Sequence, residues 1–117
     1  MPQLSGLTDG GVYASSHAPR ILSGTVRSHV AVATVSIELR RRYRRRCWSY
    51  DGLTERFVRA RCGHGAFFKV ASGTSFSYLL PATLPPGRYV LDVRATDVAG
   101  NSTAPARGTS RVVFYVR

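Results

Sequence analysis

The stretch LPPGRYVLDVRATDVAGN, residues Leu84–Asn101, decides the fold. Pro85 and Pro86 have a fixed φ and cannot donate a backbone hydrogen bond, so they end any preceding strand, and Gly87 supplies the tight turn that follows. The next residues alternate between apolar and polar, which predicts a strand with one buried face. Its predicted core residues are Tyr89, Leu91, Val93 and Ala95, and its predicted solvent-facing residues are Asp92, Arg94 and Thr96.

This strand is predicted to end at a turn formed by Asp97, Gly100 and Asn101. An Asp side chain accepts hydrogen bonds from backbone N–H groups a little further along the chain, and Gly and Asn tolerate positive φ. Asp97 and Asn101 are also a candidate pair for a calcium ion. One carboxylate in a basic chain makes a poor calcium site, and turn formation explains both residues, so we predict no metal there.

Three further segments show the same period of two, and no helix-length window has apolar residues at spacings of three and four. Short strands about ten residues apart, separated by SGT, DGL, ASGT, LPPG and AGN, predict an all-β sandwich or barrel. The predicted inward-facing residues are Val35, Ile37 and Leu39 in TVSIELR, Phe76, Tyr78 and Leu80 in FSYLL, and Val112, Phe114 and Val116 in RVVFYVR.

Residues 19–117 resemble the bacterial immunoglobulin-like or fibronectin-III-like modules of secreted and surface proteins, particularly of high-GC actinobacterial type. The resemblance is carried by LPPGRYVLDVRATDVAGNST, PRILSGTV, and RRRCWSYDG followed by a second cysteine. It implies an immunoglobulin-like antiparallel β-sandwich of about seven strands, in which the Tyr89 hydroxyl forms a tyrosine corner with upstream backbone. It also implies an extracellular, non-catalytic role. Residues 1–18, rich in Gly, Ser and Thr, are predicted to be a flexible N-terminal segment or linker, and we expect neighbouring domains in a longer chain.

Cys47 and Cys62 bracket WSYDGLTERFVRAR, which is predicted to form two strands around a turn. If they pair, the bridge indicates an oxidising compartment; the alternative is two free thiols in a reducing cytosol. The bridge would not be the inter-sheet disulfide of antibody domains, because no cysteine lies between Tyr89 and Thr96. Trp48, whose side chain points away from that of Cys47 on a strand, is predicted to be the core tryptophan of the sandwich.

The chain of 117 residues has 17 basic against 6 acidic residues, a formal net charge of +11. Such a charge favours contact with polyanions: anionic cell-wall polymer, glycan, an acidic protein surface or nucleic acid. Only Lys69 is a lysine, and a bias toward arginine throughout a chain can also reflect a GC-rich genome. No run is long enough for a membrane helix, so no membrane insertion is expected.

The segment RRRYRRR, residues Arg40 to Arg46, is the clearest candidate for a binding site. On a strand, alternate arginines form two rows, which cannot both face a core, so the segment is expected to project or to form an edge and loop. Arginine forks grip carboxylates or phosphates, and a tyrosine ring stacks on a sugar or base. The alternative is an edge protected by charge from aggregation. The predicted continuous basic face comprises Arg40, Arg42, Tyr43, Arg44, Arg46, Arg56, Arg59 and Arg61.

No catalytic constellation is recognisable. The two cysteines and three histidines lack zinc-site spacing, and the sequence shows no carboxylate pair, nucleophile elbow or phosphate-binding glycine loop. His64, two residues beyond Cys62, is better explained by a GHG turn than by a catalytic pair. We therefore expect a non-enzymatic extracellular or cell-surface module without cofactor, which binds an anionic partner through its basic face. The alternatives are a structural spacer without a ligand and a nucleic-acid-binding β domain.

Overall fold

Two β-sheets packed face to face make up the fold. The computed structural model describes residues 2–27, 31–103 and 107–117, and within them it forms ten strands, against about seven predicted. A single 3-10 turn, Ser15–His17, interrupts the strands. In chain order they are β1 (Pro2–Ser5), β2 (Gly11–Tyr13), β3 (Ile21–Val26), β4 (Val32–Tyr43), β5 (Arg46–Asp51), β6 (Arg56–Arg59), β7 (Phe68–Ala71), β8 (Ser75–Leu79), β9 (Gly87–Asp97) and β10 (Arg111–Val116).

The strands are divided unequally between the sheets. The smaller sheet has the order β1-β3-β8, and the larger has the order β2-β10-β9-β4-β5-β6, with β7 also pairing with β4. The pairings are antiparallel except that of β2 with β10. The long strands β4 and β9 pair over ten residues at the centre of the larger sheet. The side chains on these two strands therefore have fixed neighbours across the sheet.

The hydrophobic core lies between the two sheets. The inward-facing residues predicted on β4, β9 and β10 are all buried, which confirms the alternation inferred from the sequence. The smaller sheet contributes Leu4, Leu22 and Phe76 to the same cluster, and Leu80 beyond it is 1% exposed. Tyr78 is only partly buried against the core.

The turns at both ends of β9 form as the sequence predicts. The Tyr89 hydroxyl donates a hydrogen bond to the Pro85 carbonyl, which makes a tyrosine corner. At the other end, Asp97 Oδ1 accepts the backbone N–H groups of Ala99 and Asn101, both at 2.9 Å. The Asn101 N–H is the main cause that lowers the pKa of Asp97. Gly100 completes this turn with a φ of 90°.

The sandwich includes residues predicted to be a flexible segment. Within 1–18, β1 pairs with β3 and β2 pairs with β10, so the boundary predicted at residue 19 does not separate linker from domain. The N–H of Leu4 donates to the carbonyl of Thr109 at 2.9 Å, which ties β1 to the other side of the sandwich. These two strands could not be predicted from the sequence, because each is only three or four residues long and the segment is rich in Gly and Ser.

Charge is confined to one of the two sheets. None of the residues of β1, β3 and β8 is charged, whereas β4, β5, β6, β7, β9 and β10 all carry charged side chains. The solvent face of the smaller sheet instead presents neutral residues in register: Ser5 lies opposite Ser23, Ser23 opposite Ser77, and the exposed Ile21 opposite Leu79. Every charged strand residue therefore lies on the larger sheet.

Gly24 in β3 sits where the smaller sheet has no room for a side chain. A Cβ at this position would lie 2.3 Å from the Gln3 carbonyl oxygen and 2.7 Å from Cε1 of Phe76. We expect Gly24→Ala to lower the free energy of unfolding by about 1–3 kcal/mol, the usual cost of overpacking. Urea denaturation measures it, with the exposed neighbour Thr25→Ala as control. Equal stability of the two variants would contradict the packing described.

Candidate functional site

The outer face of the larger sheet, turned away from the core, carries three rows of side chains in register. Each row crosses β4 and β9 and extends to β5, β10 or both. The first row is Cys47, Arg42, Arg88 and Tyr115; the second is Ser49, Arg40, Val90 and Val113; the third is Glu38, Asp92 and Arg111.

After β6, residues 60–67 return across part of this outer face. The approach is close at Gly65, where a Cβ would lie 3.0 Å from both Glu38 Cδ and Ser49 Oγ. Beside it the guanidinium of Arg94 lies 4.0 Å from the ring centroid of Phe67. The prediction that Asp92 faces solvent is wrong: Asp92 is 2% exposed and is contacted by Arg40 and Arg111.

A disulfide anchors the covering segment. Cys47 in β5 and Cys62 are bonded, with their Cα atoms 5.1 Å apart, as the sequence allowed. The predicted hairpin between them is also present, formed by β5 and β6. Because both cysteines belong to the larger sheet and its cover, the bridge does not join the two sheets.

Two buried carboxylates on the outer face are matched by two arginines. Arg111 grips Asp92 in a bidentate manner, with Nε 2.6 Å from Oδ1 and Nη2 2.9 Å from Oδ2. Arg40 lies between Asp92 and Glu38, with Nη2 3.6 Å from Asp92 Oδ2 and Nε 2.9 Å from Glu38 Oε1, although Arg40 Nε is not aligned for a hydrogen bond. Burial raises the pKa of Glu38, against the opposing effect of Arg40. The hydrogen bond to Asp92 raises the pKa of Arg111.

The uncovered part of the outer face forms a cleft of about 280 Å³ beside the disulfide. Its floor contains the buried side chains of Val90 and Val113, and Gly63 and His64 lie on its covered side. Six arginines line it: Arg40, Arg41, Arg42, Arg88, Arg107 and Arg111. The Arg41 guanidinium donates two hydrogen bonds to the Pro86 carbonyl.

Arg42 and Arg88 are the uncompensated charges of this cleft. They are exposed and lie directly opposite each other on β4 and β9. Arg40 and Arg111 form ion pairs with the buried carboxylates Glu38 and Asp92. Arg107 pairs with Asp9 at 3.1 Å. Among the described residues, neither the Arg42 side chain nor the Arg88 side chain has an ion-pair or hydrogen-bond partner. Like charges opposite each other destabilise a sheet, so this arrangement suits an external anion.

The structure divides the basic face predicted around RRRYRRR. The segment is a hairpin, since β4 ends at Tyr43, β5 begins at Arg46, and Arg44 and Arg45 form the turn with φ of 50° and 65°. This hairpin agrees with the expectation that the segment forms a loop, because two rows of arginines could not both face the core. Only Arg40 and Arg42 of the predicted set line the cleft. Arg46, Arg56 and Arg61 are exposed elsewhere.

The remaining predicted residues, Tyr43, Arg44 and Arg59, belong to a stack of arginine and aromatic side chains around Arg41 and Trp48, which also line the cleft. The guanidinium of Arg41 lies 4.5 Å from the ring centroid of Trp48, and that of Arg59 lies 5.5 Å from the same ring. Arg41 and Arg44 also lie over Tyr43, at 5.2 and 5.1 Å. The core role predicted for Trp48 is wrong: it is half-buried between arginines, and Tyr50 occupies the core on β5.

Sequence reasoning missed the cleft arginines outside RRRYRRR, namely Arg88, Arg107 and Arg111. Arg88 and Arg111 could have been found, because they alternate with the inward-facing Tyr89 and Val112. The position of Arg88 opposite Arg42 required the pairing of β4 with β9, which is known only from the fold. Arg107 follows no periodic pattern that marks it.

The described ranges contain no cluster of three or more side chains that could hold a metal ion. Gly87 opens β9 and lies close to Arg42, whose carbonyl oxygen would be 3.0 Å from a Cβ there. His29 lies outside the described residues. In the part of the chain that the structure describes, no helix is long and apolar enough to cross a membrane.

The strand order and the tyrosine corner are those of an immunoglobulin-like β-sandwich. β5 and β6 extend the sheet of β10, β9 and β4, as the additional hairpin does in variable domains, and β9 begins with the tyrosine corner. A solved structure of murine CRIg is similar to the chain, with a TM-score of 0.43 and 12% identity over 100% of this chain and 97% of that one. No protein-family model and no curated protein matches the sequence.

Proposed function

We propose that this domain is a non-catalytic extracellular module of a bacterial secreted or surface protein, and that it attaches to an anionic polymer through the cleft on the outer face of its larger sheet. The polymer is a cell-wall component, a glycan or an acidic protein segment. The observation that carries the proposal is the pair Arg42 and Arg88, two exposed cations held opposite each other without a carboxylate partner.

The surroundings of this pair support a binding role. Asp92 and Glu38 neutralise Arg40 and Arg111 within the sheet, so the positive charge left for a ligand is concentrated at one end of the cleft. The disulfide between Cys47 and Cys62 supports an extracellular location, because such bonds persist in oxidising compartments. A spacer without a ligand would gain nothing from two opposed, unpaired arginines.

The test compares polyanion binding of two double variants with the same change in charge. Arg42→Ala with Arg88→Ala removes the cleft pair, and Arg56→Ala with Arg61→Ala removes two exposed arginines outside the cleft. Binding to immobilised heparin and to isolated cell-wall material is measured from low to physiological salt, with DNA as a third ligand. We expect the first variant to lose about tenfold or more in affinity, since charge-assisted hydrogen bonds are lost, and the second to lose much less.

Two results would contradict the proposal. If both variants lose affinity equally and DNA binds as well as the other polymers, binding is general counterion release by a basic protein. If the wild-type domain binds none of the polymers at physiological salt, the spacer becomes the better explanation.

A further inference from the structure

The two unpaired arginines of the cleft are placed to contact one anionic group together. Residues directly opposite in an antiparallel pair have Cβ atoms about 4.5–5.5 Å apart. Arg42 and Arg88 are such a pair and extend from the same face. Their guanidinium groups can therefore reach a single ligand group lying between them.

The neighbours of the pair restrict where its side chains can go. In the same row, Arg42 is flanked by Cys47 of the disulfide and Arg88 by Tyr115. In the next row, Val90 and Val113 give an apolar floor. The carboxylates around the cleft, Glu38, Asp92 and Asp9, are already paired with Arg40, Arg111 and Arg107. The open direction for both forks is toward the cleft.

The number of ligand oxygens then matters. A carboxylate has only two oxygens, and one arginine fork occupies both in the bidentate arrangement that Arg111 makes with Asp92. A second fork must share one of these oxygens, as Arg40 does at the longer distance of 3.6 Å from Asp92 Oδ2. A sulfate ester or phosphate monoester has three terminal oxygens arranged around a tetrahedral centre, which can serve two forks.

We propose that Arg42 and Arg88 together form a seat for a tetrahedral oxyanion with three terminal oxygens, a sulfate ester or phosphate monoester group carried by a glycan, and that they select it against a carboxylate. This inference rests on the proposed function, because it names the group on the anionic polymer that the cleft would hold.

The experiment uses three monosaccharides with the same sugar ring and a different anionic group at position 6: glucose 6-sulfate, glucose 6-phosphate and glucuronate. Binding to the oxidised domain is followed by NMR titration at low salt. We expect the sulfate, which has the same charge as the carboxylate, to bind about tenfold more tightly than glucuronate. The phosphate arm shows which tetrahedral group the seat prefers.

A charge-preserving variant separates geometry from charge. In Arg42→Lys with Arg88→Lys, each side chain keeps its positive charge but loses the planar fork, so the preference for sulfate over glucuronate should fall to about twofold or less. Arg56→Lys with Arg61→Lys should leave it unchanged. Equal binding of sulfate and glucuronate by the wild-type domain, or an undiminished preference in the lysine variant, would overturn this inference. The proposed function would be unaffected by that outcome, because heparin binding of the alanine variants tests it separately.

Discussion

Replacement of Asp92 by alanine is expected to lower the free energy of unfolding by about 3 kcal/mol. Asp92 is buried and holds Arg111 through two hydrogen bonds, with Arg40 as a second neighbour. Removing one partner of a buried ion pair costs about 3–5 kcal/mol, because the other charge is left without compensation. The lower end applies here since the Arg111 side chain is 37% exposed and can turn to water. Guanidinium chloride denaturation measures the loss.

The control for this variant is Glu55→Gln, which removes an exposed carboxylate of the β5–β6 turn and should change stability by less than about 0.5 kcal/mol. Replacing Asp92 and Arg111 together by leucine should recover part of the loss, because no unpaired charge then remains at that position. A loss below 1 kcal/mol for Asp92→Ala would show that the buried carboxylate is not the counterion of the outer face.

The second large effect is expected from the disulfide. Replacing Cys47 and Cys62 by alanine opens a loop with a sequence separation of 15. Loss of that cross-link increases the entropy of the unfolded chain, and the expected cost is about 3 kcal/mol. The covering segment should also lose protection, because the bond holds it on the outer face. Denaturation gives the stability, and hydrogen exchange of residues 60–67 reports the local opening.

Reduction of the wild-type domain provides the control. Under a reducing agent its stability should fall to that of the double alanine variant, while the variant itself should not change. If the variant is as stable as the oxidised wild type, the hairpin of β5 and β6 holds the cover without help from the bond.

The sequence was sufficient for the inner face of the sandwich and insufficient for its outer face. Val35, Leu91 and Phe114 could be predicted because alternation follows directly from strand geometry. The burial of Asp92 could not be predicted, because its arginine partners lie on β4 and β10 and meet it only through the pairing of these strands with β9. Residues 60–67, which fold over the outer face and close one side of the cleft, follow no local pattern either.

The arginine-rich segment was assigned correctly as basic and incorrectly as a single surface. The turn at Arg44 and Arg45 could not be predicted from the sequence, because a turn with positive φ at both positions usually has Asn or Gly there. Once the chain reverses there, Trp48 falls beside Arg41 instead of in the core. The useful partner of Arg42 was 46 positions further along the chain, at Arg88.

The neutrality of the smaller sheet has a consequence for how the molecule approaches a partner. With strand charges confined to the larger sheet, the strands of the two sheets differ in charge. Near a negatively charged surface this difference favours orientations in which the larger sheet turns inward before contact. Correctly oriented encounters become more frequent, and this gain in association rate diminishes as salt shortens the range of the field.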